Sequence, residues 1–357
     1  MAEPPYELIY WHVIPGRGEH IRLCFVEAGV SYSDTAFLEG GMVTLQGYIS
    51  DQNTGDETNP PPFAPPILKH GDLVISQTSN ILMYLGPKLG LAGTQPSDIW
   101  KINALALTAL DGLSNEVHNC HHPIAIDLYY EEQKEESLRR SKDWVKNRLP
   151  KFLGYFERVL AGKASGAGPW LYGGTLTWAD LVLFQTLDGT SYAFSKAMAA
   201  AKQSGKYDRV FQLYEAVKAR PRIAEYLASE RRQKFSEYGV YRHYEELDVV
   251  SDEYLPGSNN SIGSLLESVG FSIKGADISC KFIFESTAGP RDSPVESVVE
   301  RPGEVPVEGL DDPLDAELGD ELGKNPVNNR EIVRLFTRVE LVWYYCLQRS
   351  AYNYRKG

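Results

Sequence analysis

Residues 7–13 (ELIYWHV) are an unbroken aromatic and aliphatic run, which predicts a strand. A tight turn, Pro15-Gly16-Arg17-Gly18, interrupts it. The period then changes: Ile21, Cys24, Phe25 and Ala28 recur at helical spacing and Gly29 stands where a C-terminal cap belongs. A second strand is expected near 31–37. Residues 38–63, rich in Gly, Asn, Asp and Thr and ending in Pro60-Pro61-Pro62, read as a mostly irregular loop. Two short apolar runs, 66–69 and 73–75, flank His70-Gly71-Asp72 and predict a hairpin. From Gln77 to Leu89, the positions of Ile81, Leu82, Tyr84 and Leu85 predict a helix.

The order βαβ-loop-ββα is that of a thioredoxin-like α/β domain, placed at residues 1–90. After a linker near Leu91–Asp98 the pattern is helical throughout, giving an all-α domain over 98–240. One helix is expected over roughly 99–119. Another carries Leu149, Phe152, Leu153, Phe156 and Leu160 on one face, with Pro150 either kinking it or marking its start. Residues 178–187 (WADLVLFQTL) are apolar almost all round, as a central buried helix must be. Thr177 and Asp180 have the spacing of a capping box at its start. Short helices are expected near 208–218 and 221–229. Residues 251–357 form an extension of different character. It has a Ser/Gly-rich stretch to 290 with a strand-like run at Cys280–Phe284, and an acidic, Pro-rich linker with the composition of disorder over 288–326. A final helical pattern over 329–348 places Ile332, Leu335, Phe336, Val339, Trp343 and Cys346 on one face.

Composition narrows the function. The 357 residues carry a formal charge of −12, and residues 288–324 alone hold eleven Asp/Glu against three Lys/Arg. An acidic chain repels phosphate backbones and anionic lipid, so neither nucleic acid nor a membrane is expected as a partner. The N-terminus lacks the pattern of a leader peptide, and no apolar run reaches membrane-spanning length. Four scattered cysteines, Cys24, Cys120, Cys280 and Cys346, with no C-x-x-C, read as buried thiols in a reducing compartment, so a cytoplasmic location is expected. Ser/His/Asp, phosphate-loop and dinucleotide signatures are absent.

The motifs Pro4-Pro5-Tyr6-x-x-x-Tyr10, Gly16-Arg17, Pro66 five residues before Gly71, Gln77-Thr78 and Thr177-x-x-Asp180 occur in one order. Over about residues 5–240 the chain resembles a cytosolic glutathione transferase, nearest the tyrosine-type pi and sigma classes. The wording IPGRGEHIRL and HHPI…LYY resembles a fungal-type branch. The resemblance implies the glutathione transferase fold: a thioredoxin-like domain followed by an all-α domain, here with a partly disordered C-terminal extension. It implies a homodimer-forming enzyme of detoxification or specialised metabolism that joins glutathione to an apolar electrophile. Glutathione-dependent isomerisation or peroxide reduction, and a non-catalytic binding member, stay open as alternatives.

By the same resemblance Tyr10 donates its O–H to the glutathione sulfur. A hydrogen bond to the charged form lowers a thiol pKa, and a drop of about two units is worth roughly 2.7 kcal/mol. Counting back from Arg17 without gaps selects Trp11 instead. Alignment from Pro4-Pro5-Tyr6 selects Tyr10 and leaves one extra residue in the loop, where insertions are tolerated, and Trp cannot replace a phenol as donor. Pro66 takes the cis-proline position that lets the preceding backbone pair with the cysteinyl part of glutathione. Here that preceding residue is Pro65, which has no N–H to give. Gln77 and Thr78 match the pair that holds the γ-glutamyl end, aided by a helix N-terminus. Asp111 matches an acidic residue that reaches across the dimer.

The glycyl end is a departure: there is no Lys or Arg between Arg22 and Lys69, leaving Arg17, Gln46, Gln52 or Lys69 as substitutes. Trp11, His12, Val13, His118, His121, His122 and Ile124 are candidates to line the second-substrate pocket. No metal is expected, because adjacent histidines on a helix point apart and no carboxylate or cysteine stands at ligand spacing.

Overall fold

The computed structural model describes residues 4–250 and the two strands 271–273 and 284–286. Strand β1 (Tyr6–Ile9) is followed by α1 (Glu19–Ala28), β2 (Tyr32–Asp34), α2 (Gly41–Tyr48), the hairpin β3 (Ile67–His70) and β4 (Leu73–Ser76), and α3 (Thr78–Lys88). The sheet order is β2-β1-β3-β4, with β2 parallel to β1 and the other pairs antiparallel. Strand alternation divides the apolar residues. Tyr6, Leu8 and Tyr10 join the main core with α1 and α3, whereas Ile9 packs on the other face with Leu45 and Ile67.

Leu45 belongs to α2, which corrects the reading of 38–63 as a mostly irregular loop. This helix opens at Gly41 and carries a further Gly47, so its propensity is poor. One buried leucine anchors it, and tertiary contact rather than local pattern makes it helical. Beyond it the chain is organised by Asn59, whose amide donates to the Asp72 carbonyl over 2.9 Å while its oxygen accepts from the Val74 N–H over 2.9 Å, tying the loop to the hairpin.

Helices account for the next part: α4 (Asp98–Leu107), α5 (Asn115–His121), α6 (Lys134–Asp143), α7 (Leu149–Ala161), α8 (Trp178–Ala193), α9 (Ser195–Gln203), α10 (Asp208–Lys218) and α11 (Pro221–Leu227). The helix expected over 99–119 is one continuous rod from Asp98 to His121 with a π-helical stretch, Thr108–Ser114, in its middle. A second π stretch, Trp144–Arg148, runs directly into α7, and Pro150 lies in the first turn of α7. Helix α8 is buried nearly all round, as its sequence demands. Its capping box forms: the Asp180 carboxylate accepts from the Thr177 N–H and the Leu171 N–H, each over 2.7 Å.

After α11 the chain returns across the helices as an irregular strap, residues 229–250. Its Asp248 carboxylate accepts from the N–H groups of Lys196 and Ala197 at the start of α9, over 2.8 and 3.1 Å. Tyr241 is buried, and its ring fills the space a side chain at Gly189 would need. The strands Phe271–Ile273 and Phe284–Ser286 pair antiparallel. Phe284 is where the strand-like run of the sequence ends. The acidic linker, the terminal helical pattern, Cys280 and Cys346 lie outside the described residues.

Candidate functional site

Register brings the motif residues to one end of the sheet. Ile9 pairs with Ile67, and Ile67 with Ser76. Tyr10, which follows Ile9, Pro66, which precedes Ile67, and Gln77, which follows Ser76, therefore stand in a row across three adjacent strands. At about 4.8 Å per strand the row is ~10 Å wide, the length of three extended residues.

Tyr10 is 4% exposed and sits beneath the turn that follows it. Its Oη accepts from the Arg17 backbone N–H over 2.7 Å, and its own N–H donates to Thr35 Oγ1 over 3.3 Å. The two flanking glycines make this fit possible. A Cβ on Gly16 would lie 2.3 Å from the phenol oxygen, and one on Gly18 would lie 2.6 Å from the ring. Burial raises the Tyr10 pKa, opposed by the Arg17 N–H and the charges of Arg22 and Arg17. The phenol is thus neutral at physiological pH, with its oxygen engaged as acceptor and its proton available to give. The turn is held from below by the buried Arg22, which donates to Asp34 over 2.7 Å, to the Pro15 carbonyl over 3.2 Å and to Gln233 of the strap over 3.2 Å.

Pro65-Pro66 is a cis peptide and Pro66 is buried. Gln77 is exposed and has φ 71°, a left-handed conformation that a non-glycine residue holds only under constraint. Thr78 is buried at the first position of α3, so the strand-to-helix junction falls where the motif requires it. Trp11 is half-buried and packs against both cores. His12 and Val13 are exposed, and Val13 also adopts positive φ, at 64°. Asp111 is exposed on the π-helical stretch and makes no hydrogen bond or ion pair among the described residues. Gln46 and Gln52 are exposed on and after α2.

Arg17 reaches to the helical side, where its guanidinium donates to Asn115 Oδ1 at the start of α5. His118 lies one turn further along. The expectation that the adjacent histidines point apart is overturned: the rings of His118, His121 and His122 have centroids 5.0, 5.1 and 4.8 Å from one another. The helix stops at His121, and His122 takes φ −132° and ψ 61°, so its side chain swings back toward the other two. Burial is the chief cause that holds His118 at a pKa of about 4 and His121 at about 2, and it lowers His122 as well. All three are neutral imidazoles at pH 7. His121 Nε2 contacts the Val240 carbonyl over 3.1 Å, while its buried Nδ1 has no partner. Among the described residues, no group of three or more His, Cys, Asp or Glu is arranged to hold a metal ion. Ile124 is exposed, with its N–H donated to Gln133 Oε1 over 3.0 Å.

Cys24 and Cys120 are buried, and desolvation drives both thiols well above their ordinary range, so neither is a nucleophile at neutral pH. No helix among the described residues is long and apolar enough to cross a membrane.

Sequence motifs did not reveal the third wall of this region. The strap's Tyr241 donates to Ser114 Oγ over 2.9 Å, Gly239 abuts Ile14 of the β1–α1 loop, and Arg242 donates from Nε to the Gly239 carbonyl over 3.1 Å. The first two of these contacts join residues more than a hundred positions apart, and no local period announces them.

Residues 118–230 match the family described as glutathione S-transferase, C-terminal domain. Over 232 residues the chain is 28% identical to glutathione S-transferase P 1 of Xenopus laevis, covering 65% of this chain and 95% of the relative. It is 27% identical over 184 residues to a glutathione S-transferase of Plasmodium falciparum, covering 51% and 78%. The solved Pi-class glutathione S-transferase of Onchocerca volvulus superposes with a TM-score of 0.46 at 24% identity, over 62% of this chain and 91% of that one. The family match over 118–230 and these relatives, read with the thioredoxin-like sheet and the helices that follow it, support placing the chain with the cytosolic glutathione S-transferases.

Proposed function

We propose that the protein binds glutathione across the Tyr10–Pro66–Gln77 row and transfers its thiolate to a small electrophile. The observation that carries this reading is the setting of Tyr10: a neutral, buried phenol whose oxygen already accepts the Arg17 N–H. An oxygen polarised in this way is a stronger donor, and the group best served by that donor is a thiolate. The ~10 Å row matches an extended tripeptide. The cysteinyl part pairs with the Pro65 carbonyl ahead of Pro66. The γ-glutamyl end meets Gln77, Thr78 and the start of α3. Asp111, exposed and unpaired, is free to reach a second copy in a homodimer. The electrophile enters between the β1–α1 loop, with Trp11, His12 and Val13, and the α5 side, with His118, His121 and Ile124. A role in detoxification or specialised metabolism in the cytoplasm accords with this chemistry. The same thiolate would serve isomerisation or peroxide reduction.

A non-catalytic binding role is the second reading. It is favoured by Pro65, which cannot donate a backbone hydrogen bond, and by the lack of any Lys or Arg between Arg22 and Lys69 to meet the glycyl carboxylate. Calorimetric titration with glutathione, paired with turnover of 1-chloro-2,4-dinitrobenzene, separates the two. Binding with turnover supports the transferase; failure of both leaves only the binder.

A further inference from the structure

The second-substrate side of the site carries cationic groups that the chain does not neutralise. Arg17 is fixed beside the phenol by its own N–H and extends to Asn115. His118 lies on the same face of α5, one turn on. The strap is pinned to that face by Tyr241 on Ser114 and by the Val240 carbonyl against His121. Arg242 follows directly, its guanidinium bonded to the Gly239 carbonyl, and is half-buried. Neither arginine has a carboxylate partner among the described residues.

Three acids of α5 and the strap are already engaged, while Asp111, one turn before Asn115, is exposed and pairs with neither arginine. Glu116 is held by Arg148 over 2.6 Å, Glu246 by Lys134 over 2.6 Å, and Glu245 by Lys196 over 3.2 Å. In a chain of net charge −12, two half-buried guanidiniums without an acid are a built feature. The imidazoles between them do not add to the charge. Both arginines bear on His118, and Arg242 bears on all three histidines.

We propose that this face of α5 and the strap selects an electrophile bearing a carboxylate, with Arg242 and Arg17 as its cationic contacts and the His118 ring beside them. The proposal rests on the transferase reading and replaces the apolar electrophile expected from the sequence with an acidic one. Burying a carboxylate there costs its hydration, and a charge-assisted bond to a guanidinium short of partners returns it.

The test uses 4-chloro-3-nitrobenzoate and its methyl ester, which share a reacting carbon and differ in charge. In each, the thiolate forms a carbon–sulfur bond, chloride leaves with the bonding pair, and the thiol proton passes to buffer. The wild type is expected to favour the acid over the ester in kcat/KM. Arg242→Gln should cut that ratio about tenfold, chiefly through the KM of the acid, and Arg242→Lys should restore part of it. An unchanged ratio in Arg242→Gln, or a variant that raises the KM of glutathione and not that of the acid, overturns the proposal. If neither compound is turned over, the transferase reading fails by itself. Quenching of tryptophan fluorescence by acid and ester then decides: tighter binding of the acid, lost in Arg242→Gln, upholds the anion site, and equal binding ends it.

Discussion

The Arg17 backbone N–H donates to the Tyr10 hydroxyl oxygen over 2.7 Å. This bond couples a strand end to the turn seven residues later. The acceptor capacity of the oxygen is met by the chain itself, so the one proton it carries is not needed for folding. The turn is in turn held by Arg22, which is buried among Asp34, Glu19, the Pro15 carbonyl and Gln233. The strap and the first helix thus fix the position of the phenol proposed to meet the sulfur.

Tyr10→Phe removes that proton and nothing else of size. The apparent pKa of bound glutathione in the pH–rate profile should rise by about two units, and kcat/KM at neutral pH should fall about a hundredfold. The folded state should be retained, although the Arg17 N–H loses its acceptor at a cost of about 1 kcal/mol. A profile that matches the wild type would remove Tyr10 from the chemistry.

Gly18 is at ordinary helical dihedrals, so its need for glycine is one of space rather than conformation. An added Cβ would lie 2.6 Å from Tyr10 Cγ, the root of a buried ring that cannot swing aside. Gly18→Ala should therefore destabilise the fold by about 1–3 kcal/mol and lower turnover more than glutathione binding. Urea denaturation with parallel kinetics checks both; a variant as stable and active as wild type would mean the ring has room to move.

The buried imidazoles give a pH dependence of defined sign. His20 is held at about 3, His118 at about 4 and His121 at about 2, against 6.5 when exposed, with burial the first cause for each. Above pH 6.5 both folded and unfolded chains are neutral at these positions, and the full contribution to stability is present. As pH falls below 6.5 the unfolded chain takes up protons that the folded one refuses, so stability is lost on the way down toward the folded values. For the fully buried His20 and His121 the loss approaches about 1.4 kcal/mol per pH unit each. Asp180, raised to about 6 by burial, acts in the opposite direction between pH 6 and 4. The informative comparison is accordingly between variants. Denaturation midpoints at pH 7.5 and 5 should differ less in His121→Gln than in wild type, and equal differences would mean that His121 titrates normally.

How much of this was readable from residues alone depended on range. Helix α1 with its Gly29 cap, the Gly71-Asp72 hairpin and the Thr177–Asp180 box were legible because their signals lie within a few residues of one another. Helix α2 was not, since Gly41 and Gly47 mask a segment that one buried leucine holds in place. The π-helical stretches have no signature of their own. The histidine cluster is not legible from spacing because α5 ends at His121, and ideal helix geometry does not reach His122. In the site, Tyr10, Pro66 and Gln77 could be named from motif order, and their row across three strands follows from register. Arg242 and Tyr241 could not, because the strap reaches them to α5 and to the π-helical stretch through contacts that no period encodes.

Gln77 offers the sharpest separation of strain from structure. Its φ of 71° and ψ of 119° are unfavourable for any residue with a Cβ, yet it is exposed and its side chain makes no hydrogen bond among the described residues. The proposed glutathione site gives such a strained, exposed and unpartnered residue at a strand-to-helix junction a ligand to serve, which Gln77→Gly tests. Gln77→Gly should release about 1–2 kcal/mol of backbone strain and lose about 0.5–1 kcal/mol to the greater freedom of the unfolded chain. Stability should thus hold or rise slightly. Glutathione should bind about tenfold more weakly, because a side-chain hydrogen bond to its γ-glutamyl end is gone. Thermal melts and calorimetric titration on the same sample test the pair of outcomes together. A variant that melts well below wild type while binding glutathione unchanged would show the conformation to be structural, and would move the γ-glutamyl contact away from Gln77.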